Sequence, residues 1–458
     1  MKLQVFFSFL LLFFSSCSFN AGHKTLTVSN PIIPGYFADP SVVEFEGKYY
    51  LYATVDPWGA DFLSCWVSDD FINWTFHKLN WPTKEACTSP LSRENMVWAP
   101  SVIKHGEMFY MYISVGSEIW CGSAKHPLGP WENMLDNKPL VPFDTTWYSH
   151  EIDAEVFIDD DSRAYLYWGS GWGWINGRCW VAELNDDMAS FKSGKVEITP
   201  ERFFEAPWMI KHREKYFLTY SEGKTIEDSY EVRYAVGDSP FGPFVQAENS
   251  PILTKNDSLQ VYGPGHHTIV NLRGQHFILY HKHRLPFVPG SAFRQISMNP
   301  LHFDDNGLQI KNILPENTVE IPLLSNSKRK IVPPSELIAS SFKNQHSLPD
   351  NISDNHYGTL WESSPEDNTP VLTALFKNTQ RVENVEIRFE YASKQYFFRA
   401  EITTDGKNWN QIADYSETGV DGSPVILKVD QKVKGFRLNF LKKVESANPA
   451  VWEIVFLQ

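Results

Sequence analysis

The stretch ADPSVVEFEGKYYLYATVD, residues 38–56, decides the fold. It reads as a polar start at Asp39, an apolar strand, a Glu46-Gly47 turn and a second strand dense in tyrosine, the pattern of a β-hairpin. The pattern recurs as WAPSVIKHGEMFYMYISVG from Trp98, IDAEVFIDDDSRAYLYWGS from Ile152, EAPWMIKHREKYFLTYSEG from Glu205 and GPGHHTIVNLRGQHFILYHKH from Gly263. Five units spaced about 52 to 60 residues apart leave room for four strands each, and no long stretch has helical periodicity. The expected fold is all-β, with a five-bladed β-propeller over residues 32–322 whose first hairpin strands line the central channel. The outer parts repeat too: Ser68–Trp74 reads as an outer hairpin, and His126-Pro-Leu-Gly-Pro-Trp131 is echoed by Ser239-Pro-Phe-Gly-Pro-Phe244. Such rings often close by borrowing a strand from the other terminus, so residues 294–322 are expected to complete the blade that the N-terminus begins.

The chain has 458 residues, 42% hydrophobic and 21% charged, the composition of a packed globular protein. Its formal charge is −14, and no Lys/Arg run exceeds Lys328-Arg329-Lys330, which argues against nucleic acid as a partner. The excess of aromatics, 16 Trp, 19 Tyr and 32 Phe, suits inter-blade packing and also suits sugar rings. Residues 1–16, with Lys2 before the apolar stretch Leu3–Phe14, read as a secretory signal too short to span a bilayer. Cys17, after Ser15-Ser16, resembles the lipobox cysteine of bacterial lipoproteins. The expectation is an exported outer-membrane lipoprotein, anchored at Cys17 through a tether over residues 17–31 and facing the periplasm or cell surface. Cleavage near Ala21 without lipidation is the alternative. Cys65, Cys87, Cys121 and Cys179 permit one or two disulfides, but they form no CxxC pair and read chiefly as buried small apolar side chains.

Near-fivefold symmetry brings equivalent positions to one depth around the axis. Aligning the repeats puts Asp39, Ala99 or Pro100, Asp153, Glu205, and Pro264 or Gly265 on that ring. A single Asp-Pro is ordinarily a turn or cap. Three carboxylates converging on one cavity repel one another and are costly unless they do chemical work. Glycoside hydrolysis uses such a set on a neutral substrate: one carboxyl protonates the leaving oxygen, another stays ionised, and a third tunes the acid.

Five ordered motifs, ADPS at 38–41, ID-x-x-x-F-x-DDD from Ile152, EAP at 205–207, GPGHH from Gly263 and R-x-x-x-x-x-PLHFDDNG from Arg294, resemble glycoside hydrolase family 43 over residues 30–320. These are the five-bladed inverting arabinofuranosidases, xylosidases and arabinanases. The resemblance implies that Asp39 is the general base activating water, Glu205 the general acid, and Asp153 the residue that raises the pKa of Glu205 and orients it. It implies that Arg294 contacts the sugar beside the scissile bond, the alternative being a surface ion pair with Asp304 or Asp305. His266 matches a histidine near the channel axis that in some members helps hold a metal ion or water cluster. A structural Ca2+ in the channel is the ion this implies, and the chemistry requires no cofactor. Of the adjacent His266 and His267, one is expected to face the axis.

Two features depart from the family pattern. Glu155 follows Asp153 by two residues and is expected to face the same side, as a substrate-binding or supplementary carboxylate or the partner of a cation. Trp208 is bulky for a channel-facing site and is expected to narrow the pocket. Trp98, Trp172 and Trp174 are candidate stacking platforms, with core packing the alternative for each. The mechanism expected is single displacement with inversion, which calls for carboxyls about 6.5 to 9.5 Å apart.

The repeat stops after Ile321, and residues 323–335 read as a linker. Residues 336–458 turn to short alternating strands. Trp361, the segment EITTDGKNW at 401–409 and GFRLNF at 435–440 resemble the discoidin or F5/8 type C jelly-roll sandwich, a common carbohydrate-binding accessory domain. A purely structural sandwich packed on the propeller is the alternative. The leading reading is a monomeric, exo-acting, inverting glycoside hydrolase that removes terminal pentoses from plant-type oligo- or polysaccharides, an α-L-arabinofuranosidase first and a β-xylosidase or exo-galactanase second. A non-catalytic glycan-binding lipoprotein is the alternative from another class, against which the three carboxylates argue.

Overall fold

The computed structural model describes residues 24–92, 95–144, 149–325 and 329–458; the signal segment and Cys17 lie outside them. Blade one consists of Phe37–Phe45, Lys48–Val55, Phe62–Ser68 and Thr75–Thr83. Blade two is Val97–His105, Met108–Val115, Glu118–Ala124 and Glu132–Asn133, and blade three is Glu155–Ile158, Ala164–Trp168, Trp180–Glu183 and Val196–Glu197. Blade four is Glu205–His212, Lys215–Glu222, Glu231–Gly237 and Val245–Gln246. The fifth has three strands, Gly265–Leu272, Gln275–His283 and Arg294–Leu301. The turns Glu46-Gly47 and Arg273-Gly274 have φ of +51° and +71°, and +50° and +86°, the left-handed pair whose twist matches the flanking strands.

Closure departs from the expectation for residues 294–322. Arg294–Leu301 pairs along its whole length with Gln275–His283 and belongs to blade five. A short connection lets the chain fold straight back, which costs less loop entropy than reaching the first blade. The termini meet instead in a separate ribbon, Thr25–Ser29 against Thr318–Pro322, so a segment expected to be tether supplies a strand.

Every blade opens in the same way. Asp39, Ala99, Asp153, Ala206 and His266 all have φ between +39° and +58°, a region non-glycine residues seldom occupy. Four of them sit in breaks of pairing register, between Ala38 and Ser41, Trp98 and Ser101, Glu205 and Trp208, and Gly265 and His267. Hydroxyls of the preceding blade hold three of these bends. Thr54 Oγ1 accepts the Ala99 amide at 2.7 Å, Ser114 Oγ the Asp153 amide at 3.1 Å and Ser221 Oγ the His266 amide at 2.9 Å.

The aromatic excess packs the blades together. Tyr52, Tyr112 and Tyr167 are fully buried at equivalent positions of the second strands. Their hydroxyls donate to the carbonyls of Pro127, Met188 and Pro240 on the following blade, at 2.7, 2.7 and 2.8 Å. Pro127 and Pro240 are the first prolines of the echoed outer turns, so each of those motifs supplies the acceptor a neighbouring tyrosine needs. A buried hydroxyl left without one would cost about 1–3 kcal/mol. Cys65, Cys87, Cys121 and Cys179 are free and buried, packing as small apolar groups.

The C-terminal strands run in the order Trp361–Glu362, Ala450–Leu457, Val371–Phe389, Val425–Phe440, Phe398–Thr403 and Trp409–Asp414, with Glu336–Ala339 beside Val371–Phe389. They enclose a core of their own that includes Trp361, Phe389, Phe398 and Phe436. Among the described residues there is no α-helix, and no helix long and apolar enough to cross a membrane.

Candidate active site

The bends at the start of the inner strands surround a cavity of about 600 Å³. Asp39, Asp153, Glu205, His266 and Arg294 line it, together with Trp58, Trp98, Trp172 and Trp174. The register differs from the sequence alignment. Asp39, Asp153 and His266 occupy the left-handed position itself, where blades two and four have Ala99 and Ala206, and Glu205 stands one residue earlier, level with Trp98 and Ile152. The left-handed residue is the physical reason: its positive φ breaks the two-residue alternation, so neighbours such as Ile152 and Asp153 both reach the cavity.

One guanidinium and two imidazoles surround Asp39. Its Oδ1 lies 3.0 Å from Arg294 Nη1, 3.0 Å from His281 Nδ1 and 3.2 Å from His266 Nδ1, and Oδ2 accepts from Thr54 Oγ1 at 2.7 Å. Burial by itself would raise this carboxyl, but Arg294, then His266 and His281, hold it far below the usual carboxylate range. Arg294 is gripped by Asp56, Nη2 to Oδ1 at 2.7 Å and Nε to Oδ2 at 3.0 Å. Burial pushes Asp56 up to about 6 against the pull of Arg294. The surface pairing of Arg294 with Asp304 or Asp305 does not occur, because this guanidinium is buried between two carboxylates. Burial lowers His281 to about 3, so its neutral ring donates from Nδ1 to Asp39 while Nε2 faces the Thr225 hydroxyl at 3.1 Å.

Glu205 sits among neutral donors. Tyr230 Oη donates to Oε1 at 2.8 Å and Ser170 Oγ to Oε2 at 2.9 Å. Burial pushes the carboxyl up to about 7 against these two hydrogen bonds, and Asp39 adds to the rise. Asp153 is raised well above its ordinary value, first by burial and then by Glu205 and Asp39. The two buried carboxyls therefore retain a proton between them at neutral pH. His266 Nδ1 lies 3.6 Å from Asp153 Oδ2 as well as near Asp39, so this imidazole stands between the two walls.

Other expected residues fall elsewhere. Glu155 is outside the cavity wall; it accepts from Ser101 Oγ on the neighbouring blade at 2.9 Å, and burial pushes it up to about 8. The same-side argument assumed a regular strand, but Asp153 has φ +58° and the strand begins only at Glu155. Trp208 packs beside Ile210 in a core cluster rather than narrowing the pocket. His267 is buried away from the cavity against Thr219, at 2.7 Å. Trp98, Trp172 and Trp174 do line the opening, and Trp172 is 52% exposed. Thr54, Asp56, Ser170, Tyr230 and His281 went unnoticed in the sequence. Thr54 carried a signal, since it shares its repeat position with Ser114 and Ser221; Tyr230 and Asp56 carried none. Among the described residues no group of three His, Cys, Asp or Glu side chains converges as a metal cage.

A propeller with an aromatic-rimmed, carboxylate-floored cavity defines a carbohydrate-active protein. Residues 28–308 match glycosyl hydrolases family 43, and the chain belongs to that family; it is a glycoside hydrolase. Residues 336–454 match the F5/8 type C domain. The chain is 35% identical over 307 residues to "Beta-D-galactofuranosidase xynD" of Aspergillus niger, a match covering 63% of this chain and 84% of that protein. It is 28% identical to the "Xylosidase/arabinosidase" of Bacteroides ovatus, over 60% of this chain and 95% of the relative. A solved "Glycoside hydrolase" structure superposes on 93% of this chain and 99% of its own with a TM-score of 0.78 at 26% identity.

Proposed function

We propose that the protein is an exo-acting, inverting glycosidase that removes terminal furanosyl units, with α-L-arabinofuranosides its first substrate class. The observation that carries this reading is the unlike surroundings of the carboxyls on one cavity: Asp39 lies against Arg294 and His281, while Glu205 takes only the Tyr230 and Ser170 hydroxyls, which favours an ionised Asp39 and a proton kept by the Asp153 and Glu205 pair. In this reading Asp39 draws a proton from the water that attacks the anomeric carbon, and Glu205 protonates the departing oxygen from the opposite side. Asp153 shares a proton with Glu205 across the acid side of the cavity, and Arg294 and His266 contact the sugar at the floor. Trp98 and the exposed Trp172 offer stacking faces to the rest of the glycan. Export and anchoring through Cys17, and a glycan-binding role for the sandwich, belong to the same proposal.

The 35% identical relative favours a second substrate within the class, a β-D-galactofuranoside. Its ring substituents share the arrangement of α-L-arabinofuranose, with one more exocyclic carbon, so the same floor serves either sugar. Aryl α-L-arabinofuranoside, β-D-galactofuranoside and β-D-xyloside turnover separates the readings. Asp39→Asn and Glu205→Gln should each lower turnover by about 10²–10⁴-fold with the fold intact by circular dichroism. Turnover that survives both, or a first-formed product with retained anomeric configuration by proton NMR, would sink the mechanism.

A further inference from the structure

Beside the Asp39 wall, a set of buried contacts joins the sandwich to the propeller. Tyr36, three residues before Asp39, is 5% exposed. Its hydroxyl donates to Glu390 Oε1 of the sandwich at 2.8 Å and accepts from Arg284 Nη1 at 3.2 Å. Its ring packs on Phe293 at 5.0 Å and on the sandwich residues Trp452 and Tyr391 at 5.6 and 5.7 Å between centroids. Its carbonyl accepts the amide of Asp56 at 3.1 Å, and Asp56 is the carboxylate that grips Arg294. A second contact begins at Gln295, next to Arg294, whose Nε2 donates to the Tyr357 carbonyl of the sandwich at 2.7 Å. Asp39, Asp56 and Arg294 thus each stand within three residues or one hydrogen bond of a group that the sandwich holds. Gly35, one residue before Tyr36, also lies against the sandwich, since a Cβ there would touch the Glu390 carbonyl at 3.5 Å. The exposed Lys78–Asp421 pair at 3.3 Å, on the outer strand of blade one, is by contrast a solvent-screened docking contact.

The geometry points to the C-terminal sandwich as a positioning element of the active site: through Tyr36–Glu390 and Gln295–Tyr357 it holds the Asp56–Arg294 pair against Asp39. This rests on Asp39 acting as the base, and it is a role separate from any glycan the sandwich binds. Tyr36, Glu390, Gln295 and Tyr357 touch no reacting atom and act through Asp56 and Arg294. A fixed placement of the two domains is what such a role demands, and a superposition spanning 93% of the chain carries that placement.

The test is kinetic and structural on the full-length protein. Tyr36→Phe and Glu390→Ala should lower kcat/KM about tenfold and move the acidic limb of its pH profile upward, because Asp39 loses part of its cation. In the same variants, hydrogen exchange should quicken in peptides covering residues 54–58 and 293–297. Glu390→Gln, which keeps an acceptor for Tyr36, and Asp421→Asn, which breaks only the exposed pair, should stay within twofold of the parent. An unmoved acidic limb and unchanged exchange in Tyr36→Phe would overturn the proposal, whatever happens to the melting temperature and whether or not Glu390→Ala folds. Exchange that quickens in a protein with no glycosidase turnover would instead keep the coupling between domains and remove the catalytic reading of Asp39.

Discussion

The two walls of the cavity use one chemical group, the carboxyl, to opposite effect. On the wall built by blades one and five, Asp39 faces a guanidinium and two imidazoles; on the wall built by blades three and four, Glu205 faces a phenol and a serine hydroxyl and lies near another carboxyl. Both carboxyls are buried, so desolvation raises each of them. Only the first wall supplies enough positive charge to reverse that rise. Burial alone therefore does not set the protonation of a carboxylate; the sign of its neighbours does.

The contrast is broken most severely at Arg294. Arg294→Met leaves Asp39 and Asp56 buried without their shared cation, which should cost about 3–5 kcal/mol in urea unfolding and abolish turnover near neutral pH. The acid wall answers to a smaller change. With Asp39 ionised and the Asp153 and Glu205 pair holding a proton, kcat/KM should be flat through mildly acid pH and fall as pH rises through about 7. Tyr230→Phe removes a donor that stabilises the ionised Glu205, so that basic limb should move up by about one unit.

Glu155 sharpens the comparison from outside the cavity. Its folded-state pKa of about 8 is above the ordinary value, so its stabilising contribution is present at acid pH and is lost as pH rises through about 8. Glu155→Gln should leave turnover unchanged, match the parent melting temperature at pH 4 and exceed it by a few degrees at pH 9. Wild-type alkaline stability matched by the variant would show that the carboxyl is already solvated. The smallest effect belongs to the rim, where Trp172 packs loosely near Phe143 and His150. Trp172→Ala should raise KM for an oligosaccharide roughly 2- to 10-fold and leave an aryl glycoside within twofold.

Much of this was legible before any coordinates. Five hairpins, their turns and their tyrosine-rich second strands could be read from Ala38, Trp98, Ile152, Glu205 and Gly263 onward, because period-2 alternation and turn chemistry act over a few residues. The repeats put Asp39, Asp153 and Glu205 on one ring and the family resemblance added His266 and Arg294; the folded chain brings all five to one cavity. The sequence reading misplaced Glu155 because the left-handed turn at Asp153 cannot be seen in an alternation pattern. It assigned Arg294–Leu301 to closure because the choice between a local hairpin and a distant blade depends on where the preceding loop turns back.

Short-range pattern by itself thus determined the propeller, the sandwich that follows it and the carboxylates that chemistry would need. Only the tertiary structure decided which carboxyl is ionised and which keeps its proton. That outcome depends on Arg294, His281, Tyr230 and Ser170, which reach the two walls from sequence separations of 255, 242, 25 and 35 residues. Charge and solvent access act through space, and no local pattern along the chain records them.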